Sequence, residues 1–271
     1  MAEGERAGTR QGYADRGLPQ GALGAAVVAE VVGTFMLVFL GCGSIGVVVK
    51  LTGDTPAAIG DIIAVSITFG LAVSAAIYAL GHVSGAHINP AITIALTAVR
   101  KFPVTAAGLY IVAQIVGAVL ASLALWAIFG SSFRDAGLGG TEVGDGVSTG
   151  GAILSEAITT FILMIVVMGT ATDDRADSPA VGIGVGFVVA ALVFATAPIS
   201  NSALNPARAL GPMIVTGTFS DILVYIIGPV VGALAAAFLY EFVLRPGSPP
   251  EMEGALEEDP KDVPPTPARA R

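Results

Sequence analysis

Charge and reactive side chains are scarce in this chain. Of its 271 residues, 13% are charged, two are histidine and one is cysteine. A single cysteine, Cys42, excludes an intrachain disulfide; set in an apolar run, it reads as a small buried hydrophobe. Two histidines with no cysteine or carboxylate beside them make a poor metal site, so neither metal nor cofactor is expected. No nucleotide-binding motif occurs, and nothing supports enzyme activity. The net charge of -8 comes largely from tails and loops and points to no nucleic-acid partner. Residues 1–20 are polar and the first apolar run is too long for a signal-peptide core, so no cleavable signal is expected.

What is present is apolar: 54% hydrophobic residues and 35 glycines, the composition of a polytopic membrane protein. Six segments, roughly 23–49, 60–80, 104–129, 151–170, 180–198 and 221–243, approach or exceed the ~20 residues that cross a bilayer as helix. Two more, about 89–99 and 205–215, are too short to span and read as re-entrant half-helices. The expected fold class is all-α, with six transmembrane helices plus two half-helices. The membrane part covers 21–245, between tails at 1–20 and 246–271 whose composition predicts disorder.

Three spans and a half-helix occur twice, in repeats of about 21–130 and 150–245. The run Ala29-Glu30-Val31-Val32-Gly33-Thr34-Phe35 opens the first half, and Ser155-Glu156-Ala157-Ile158-Thr159-Thr160-Phe161 opens the second. An odd number of spans per repeat inverts one half relative to the other. The two half-helices then enter from opposite faces and can meet at mid-membrane. Arg6, Arg10, Arg16, Arg100, Lys101, Arg175 and Arg245 fall on one side of this topology, Lys50 and Arg134 on the other. The balance predicts a multi-pass protein of the cell membrane with both termini cytoplasmic. The dense glycines in the spans read as close helix packing in lipid.

Asn-Pro-Ala occurs at Asn89-Pro90-Ala91 and at Asn205-Pro206-Ala207. Asn is a strong N-cap and Pro is favoured at the first helical position, so each copy starts a helix abruptly. Two such starts inside a membrane aim two positive dipole ends at one place, which suits passage of neutral molecules and refusal of cations. Both Asn amides are expected to face the path as donors. Arg208, one turn into the second half-helix, would face it too, since a charge at this depth costs about 2.5–3.5 kcal/mol and needs a reason. Glu30 and Glu156 occupy equivalent places. Bracing of backbone N–H groups in the re-entrant loops, with help from a nearby Thr or His, outweighs a proton relay. His87 reads as a loop brace. Carbonyls of Gly85, Ala86, His87 and Ile88, and of Asn201, Ser202 and Ala203, are candidates for an acceptor ladder along the path.

Ser84-Gly85-Ala86-His87-Ile88-Asn89-Pro90-Ala91-Ile92-Thr93 resembles the first signature of the aquaporin (major intrinsic protein) family, and Ser202-Ala203-Leu204-Asn205-Pro206-Ala207-Arg208 resembles the second. The resemblance spans about 22–243. It implies a right-handed six-helix bundle, one pore per subunit and a homotetramer. Carried over by spacing, it implies a selectivity filter of Phe69, Val193, Ser202 and Arg208. Strict water channels of the family usually carry His where Val193 stands. Glycerol facilitators usually carry two aromatics and a Gly in the filter, with Asp after the Arg; here Ala209 follows it. This filter most resembles the wider nodulin-like and bacterial members. Two departures stand out: Asn201 replaces a common Gly, and Ser202 replaces the Cys through which mercurials block several relatives.

The resulting expectation is a passive channel for water and small uncharged solutes such as glycerol, excluding protons and ions. A coupled secondary transporter with an inverted repeat and broken helices is the alternative; it would need a titratable midplane site, for which Glu30 and Glu156 are the candidates.

Overall fold

The computed structural model describes residues 22–53, 57–173, 175–176 and 180–245. The tails expected at 1–20 and 246–271 lie outside the described residues. Among the described residues all regular structure is helical: α1 (Leu23–Thr52), α2 (Ile59–Ser84), α3 (Pro90–Ala98), α4 (Val104–Phe129), α5 (Ser131–Asp135), α6 (Thr149–Val167), α7 (Val181–Ser200), α8 (Pro206–Thr216) and α9 (Ile222–Leu239). Single π-turns at Met168–Thr172 and Tyr240–Leu244 extend α6 and α9. Six of these helices are long and apolar enough to cross a membrane. α3 and α8 are the two half-helices. The short α5 and a tight turn at Gly137–Gly139 were not foreseen from periodicity.

Local chemistry explains the boundaries. Asp61 accepts a hydrogen bond from the Ala58 N–H at 2.8 Å, closing the first turn of α2. Ser148 caps α6 by accepting from Gly151 N–H at 3.1 Å. α2 and α7 end alike, on left-handed residues: Gly85 (φ 86°) and Asn201 (φ 53°). Asn tolerates this region far better than most side chains, so Asn201 can take the left-handed conformation of the expected glycine.

The bundle is apolar outside as well as inside. Val28, Leu71, Phe187 and Leu223 are exposed, as they would be toward lipid. A pseudo-two-fold relates the halves. α1 packs on α4 as α6 packs on α9, and α2 packs on α7 across the axis. Each half-helix docks mainly on the last long helix of the other half, α3 on α9 and α8 on α4. Small residues permit these approaches. A Cβ added at Gly70 would lie 2.5 Å from the Gly186 carbonyl oxygen, and one at Gly186 the same distance from that of Gly70. Gly117 against Val31 and Gly232 against Ala157 are equivalent contacts in the two halves.

One end of the bundle gathers most of the ion pairs, Arg134 with Asp135 standing at the other. Lys101 meets Glu241 at 3.3 Å, and Arg245 meets the same carboxylate at 3.3 Å. Asp173 is paired with Arg175 and accepts from the Tyr240 hydroxyl at 3.0 Å. Hydrogen bonding from the Arg175 guanidinium holds the Asp173 carboxyl well below the usual carboxylate range.

Candidate functional site

The two half-helices meet at their N-termini. Asn89 and Asn205 adopt the same extended backbone, and each side-chain oxygen accepts from the N–H two residues on, at Ala91 and Ala207, both at 2.9 Å. Each amide NH2 then crosses to the other half. Asn89 Nδ2 donates to the Leu204 carbonyl at 2.9 Å, and Asn205 Nδ2 to the Ile88 carbonyl at 2.8 Å. The expectation that the amides face the path as donors did not include this cross-bonding. A buried carbonyl without a donor is costly, so one N–H of each amide is committed across the junction and one is left.

The loops leading to these asparagines repeat each other residue for residue. Ala86 and Ile88 have positive φ, and so do Ser202 and Leu204. Positive φ at Ile88 (44°) is costly for a β-branched residue, so the surroundings must hold it there. They do so through the two buried glutamates. Glu30 accepts from Ser84 Oγ (2.7 Å), His87 N–H (2.9 Å), Ile88 N–H (2.7 Å) and Gln114 Nε2 (2.7 Å). Glu156 accepts from Ser200 Oγ (2.7 Å), Ala203 N–H (2.8 Å) and Leu204 N–H (2.8 Å). The helping side chains are serines and a glutamine, not the Thr or His expected. Ser84 and Ser200 stand at the same offset before their asparagines, and Gln114 is a lone amide in an apolar span. Both were signals available in the chain.

Because a trans peptide holds its C=O opposite its N–H, N–H groups turned toward the glutamates turn carbonyls the other way. The carbonyls concerned are those of Ala86 and His87 in the first loop and of Ser202 and Ala203 in the second. A cavity runs beside the loops. Gly85, Ala86, His87, Ile88 and Asn89 line it from one half, Ala203, Leu204, Asn205 and Arg208 from the other. The opposite wall is apolar, with Leu37, Val73, Ile77, Leu163, Val185 and Val189. Asn201 and Ser202, whose carbonyls were also expected on the ladder, are not among the residues lining this cavity; the Asn201 side chain donates to the Gly140 carbonyl at 3.4 Å.

Of the four expected filter residues, Phe69, Val193 and Ser202 do not line this cavity, and Arg208 does. Its side chain is almost fully buried, and its Nε and Nη1 have no hydrogen-bond partner among the described residues. The guanidinium lies 5.1 Å from the ring centre of Phe69, a cation–π distance. Phe69 in turn fits against Gly41, where any side chain would collide with the ring. Val193 and Ser202 are buried and adjacent, with Ser202 Oγ 3.5 Å from the Val193 carbonyl. His87 packs edge-on against Phe102 and Tyr110 and meets Thr93 Oγ1 at 3.2 Å. These contacts make it a brace. No group of three or more His, Cys, Asp or Glu able to hold a metal occurs among the described residues.

The sequence profile of the major intrinsic protein family matches residues 20–240. A protein named probable aquaporin NIP4-2 from Arabidopsis thaliana is 43% identical over 217 residues, covering 80% of this chain and 74% of its own. The aquaporin AqpM of Methanothermobacter marburgensis is 41% identical over 235 residues, covering 80% and 96%. Among solved structures, the aquaglyceroporin from Plasmodium falciparum superposes with a TM-score of 0.71 at 25% identity, covering 83% of this chain and 98% of that one.

Proposed function

This chain belongs to the major intrinsic protein family, and from that premise we propose how it works. It is a passive membrane channel for water and small uncharged solutes, glycerol among them. The observation that carries this reading is the reciprocal bonding of Asn89 and Asn205, which joins two positive helix ends at one point beside the cavity. A water there meets donors from both halves and the field of both dipoles, so a proton wire is interrupted and cations are repelled. The apolar wall opposite lets water pass on the carbonyl ladder alone. Phe69, Val193, Ser202 and Arg208 form the constriction that chooses the solute. Val193 leaves that constriction wider and less polar than a histidine would. Both glutamates are committed to loop N–H groups, which speaks for a channel over a coupled transporter.

The assembly is a homotetramer in the cell membrane. Both termini are cytoplasmic, on the side where Lys101, Arg175 and Arg245 gather. Stopped-flow swelling of proteoliposomes under water and glycerol gradients tests the reading. Val193→His is expected to cut glycerol flux relative to water about tenfold, or ~1.4 kcal/mol at the constriction. Equal glycerol flux in the two proteins would remove Val193 from the filter. Wild-type flux that follows a pH gradient and saturates would replace the channel by a transporter.

A further inference from the structure

The hydroxyl of Ser202 does not stand free. It lies 2.5 Å from Thr196 Oγ1, which sits on α7 just over one turn before the loop and also donates to the Leu192 carbonyl at 3.0 Å. With the Thr196 proton given to Leu192, its oxygen is left to accept from Ser202. Leu192 and Val193 carbonyls lie at 3.3 and 3.5 Å from the same Ser202 oxygen. All of these partners are on α7, so the Ser202 side chain is drawn toward that helix. Nothing in the first half corresponds: Ala86 takes the place of Ser202 and Leu80 that of Thr196.

We infer that Thr196 is a positioning residue for solute choice. By holding the Ser202 hydroxyl against α7, it keeps that hydroxyl out of the lumen and leaves Val193 as the side chain presented on this wall. The constriction then offers donors from Arg208 and backbone acceptors from the loop, on a wall otherwise apolar. Such a surface admits a small polyol whose carbons pass Val193 while its hydroxyls face the opposite side. The inference rests on the channel reading above. Without Thr196 the Ser202 hydroxyl keeps only its longer contacts to the Leu192 and Val193 carbonyls, at 3.3 and 3.5 Å, and turns inward more often, where it narrows the passage and binds water.

The test measures glycerol and water permeability of full-length protein in liposomes and reads their ratio. Thr196→Val, which keeps the shape and removes the hydroxyl, is expected to lower the glycerol-to-water ratio about threefold, the scale of one net hydrogen bond. Thr196→Ser should keep the ratio. Thr196→Val combined with Ser202→Ala should restore it, because no hydroxyl remains to turn inward. A ratio unmoved in Thr196→Val, with or without an equal fall in both fluxes, overturns the inference. So does a ratio that falls and is not restored in the double variant. A wild type that conducts neither solute overturns the channel reading and this inference together; a conducting wild type with an unmoved ratio overturns this inference alone.

Discussion

The two re-entrant loops share a backbone and differ in how it is held. In the first, Glu30 collects four donors, and a second tier stands behind it. Gln114 bonds Glu30 and Thr93 Oγ1 at once, Thr93 reaches the Asn89 carbonyl, and Tyr110 donates to the Ser84 carbonyl. In the second, Glu156 collects three donors; Pro229 stands where Gln114 would, and Ala209 where Thr93 would. Its remaining ties, from Ser202 to Thr196 and from Asn201 to Gly140, face α7 and the loop between the halves. The first loop is an anchor. The second lacks that tier and carries Arg208 instead, whose buried Nε and Nη1 have no hydrogen-bond partner among the described residues. One backbone solution is thus held in place by two different sets of side chains.

This contrast can be broken by removing the anchors. Glu30→Ala strands four donors and Glu156→Ala three. Each should cost about 3–5 kcal/mol, the scale for uncovering one side of a buried polar cluster, with Glu30 the larger. Thermal unfolding in detergent measures this, and an equal or reversed order would end the distinction. Gln114→Leu should cost less, about 1–3 kcal/mol, while the glycerol-to-water ratio holds. A shifted ratio would mean that the first loop also sets selectivity.

Two smaller effects sharpen the picture. Cys42 is fully buried and no cysteine stands in the second loop, so mercury at low micromolar levels should leave water flux nearly unchanged. Ser202→Cys should gain sensitivity. A Ser202→Cys channel that stays indifferent to mercury would contradict the placement of Ser202 on the path. Away from the path, the Asp173–Arg175 pair holds the carboxyl pKa down. Its stabilisation is therefore present above the ordinary carboxylate range and is lost as the pH falls through the lowered folded value. Asp173→Asn should lower the melting temperature at about pH 7, with the gap closing only in strong acid. A gap that grows on acidification would reverse the sign.

Much of this architecture was legible because its signals are local. A span announces itself by length and apolarity, and Asn followed by Pro announces a helix start wherever it occurs. Glu30 and Glu156 were conspicuous for the same reason, being charges in apolar helices. Their partners were harder to see. Ser84 and Gln114 lie on different helices, 54 and 84 residues from Glu30, and nothing local ties them to it. The tie between Thr196 and Ser202 spans only six residues but crosses a helix end, where side-chain direction depends on the turn at Asn201. The loop after α4 also went unread. Leu138 is buried at positive φ between Gly137 and Gly139, a turn that contact with the bundle selects and hydropathy does not reveal.

By itself, the sequence determined the six spans, the two half-helices, the inverted repeat and the pair of asparagines, since each follows from composition or from capping chemistry within a few residues. Tertiary structure alone decided that each asparagine gives one amide hydrogen to the opposite loop and that Gln114 completes the first anchor. It also decided that Ser202 turns toward Thr196. These are contacts between groups far apart in the chain or divided by a turn, and they exist only once the two halves have closed on each other.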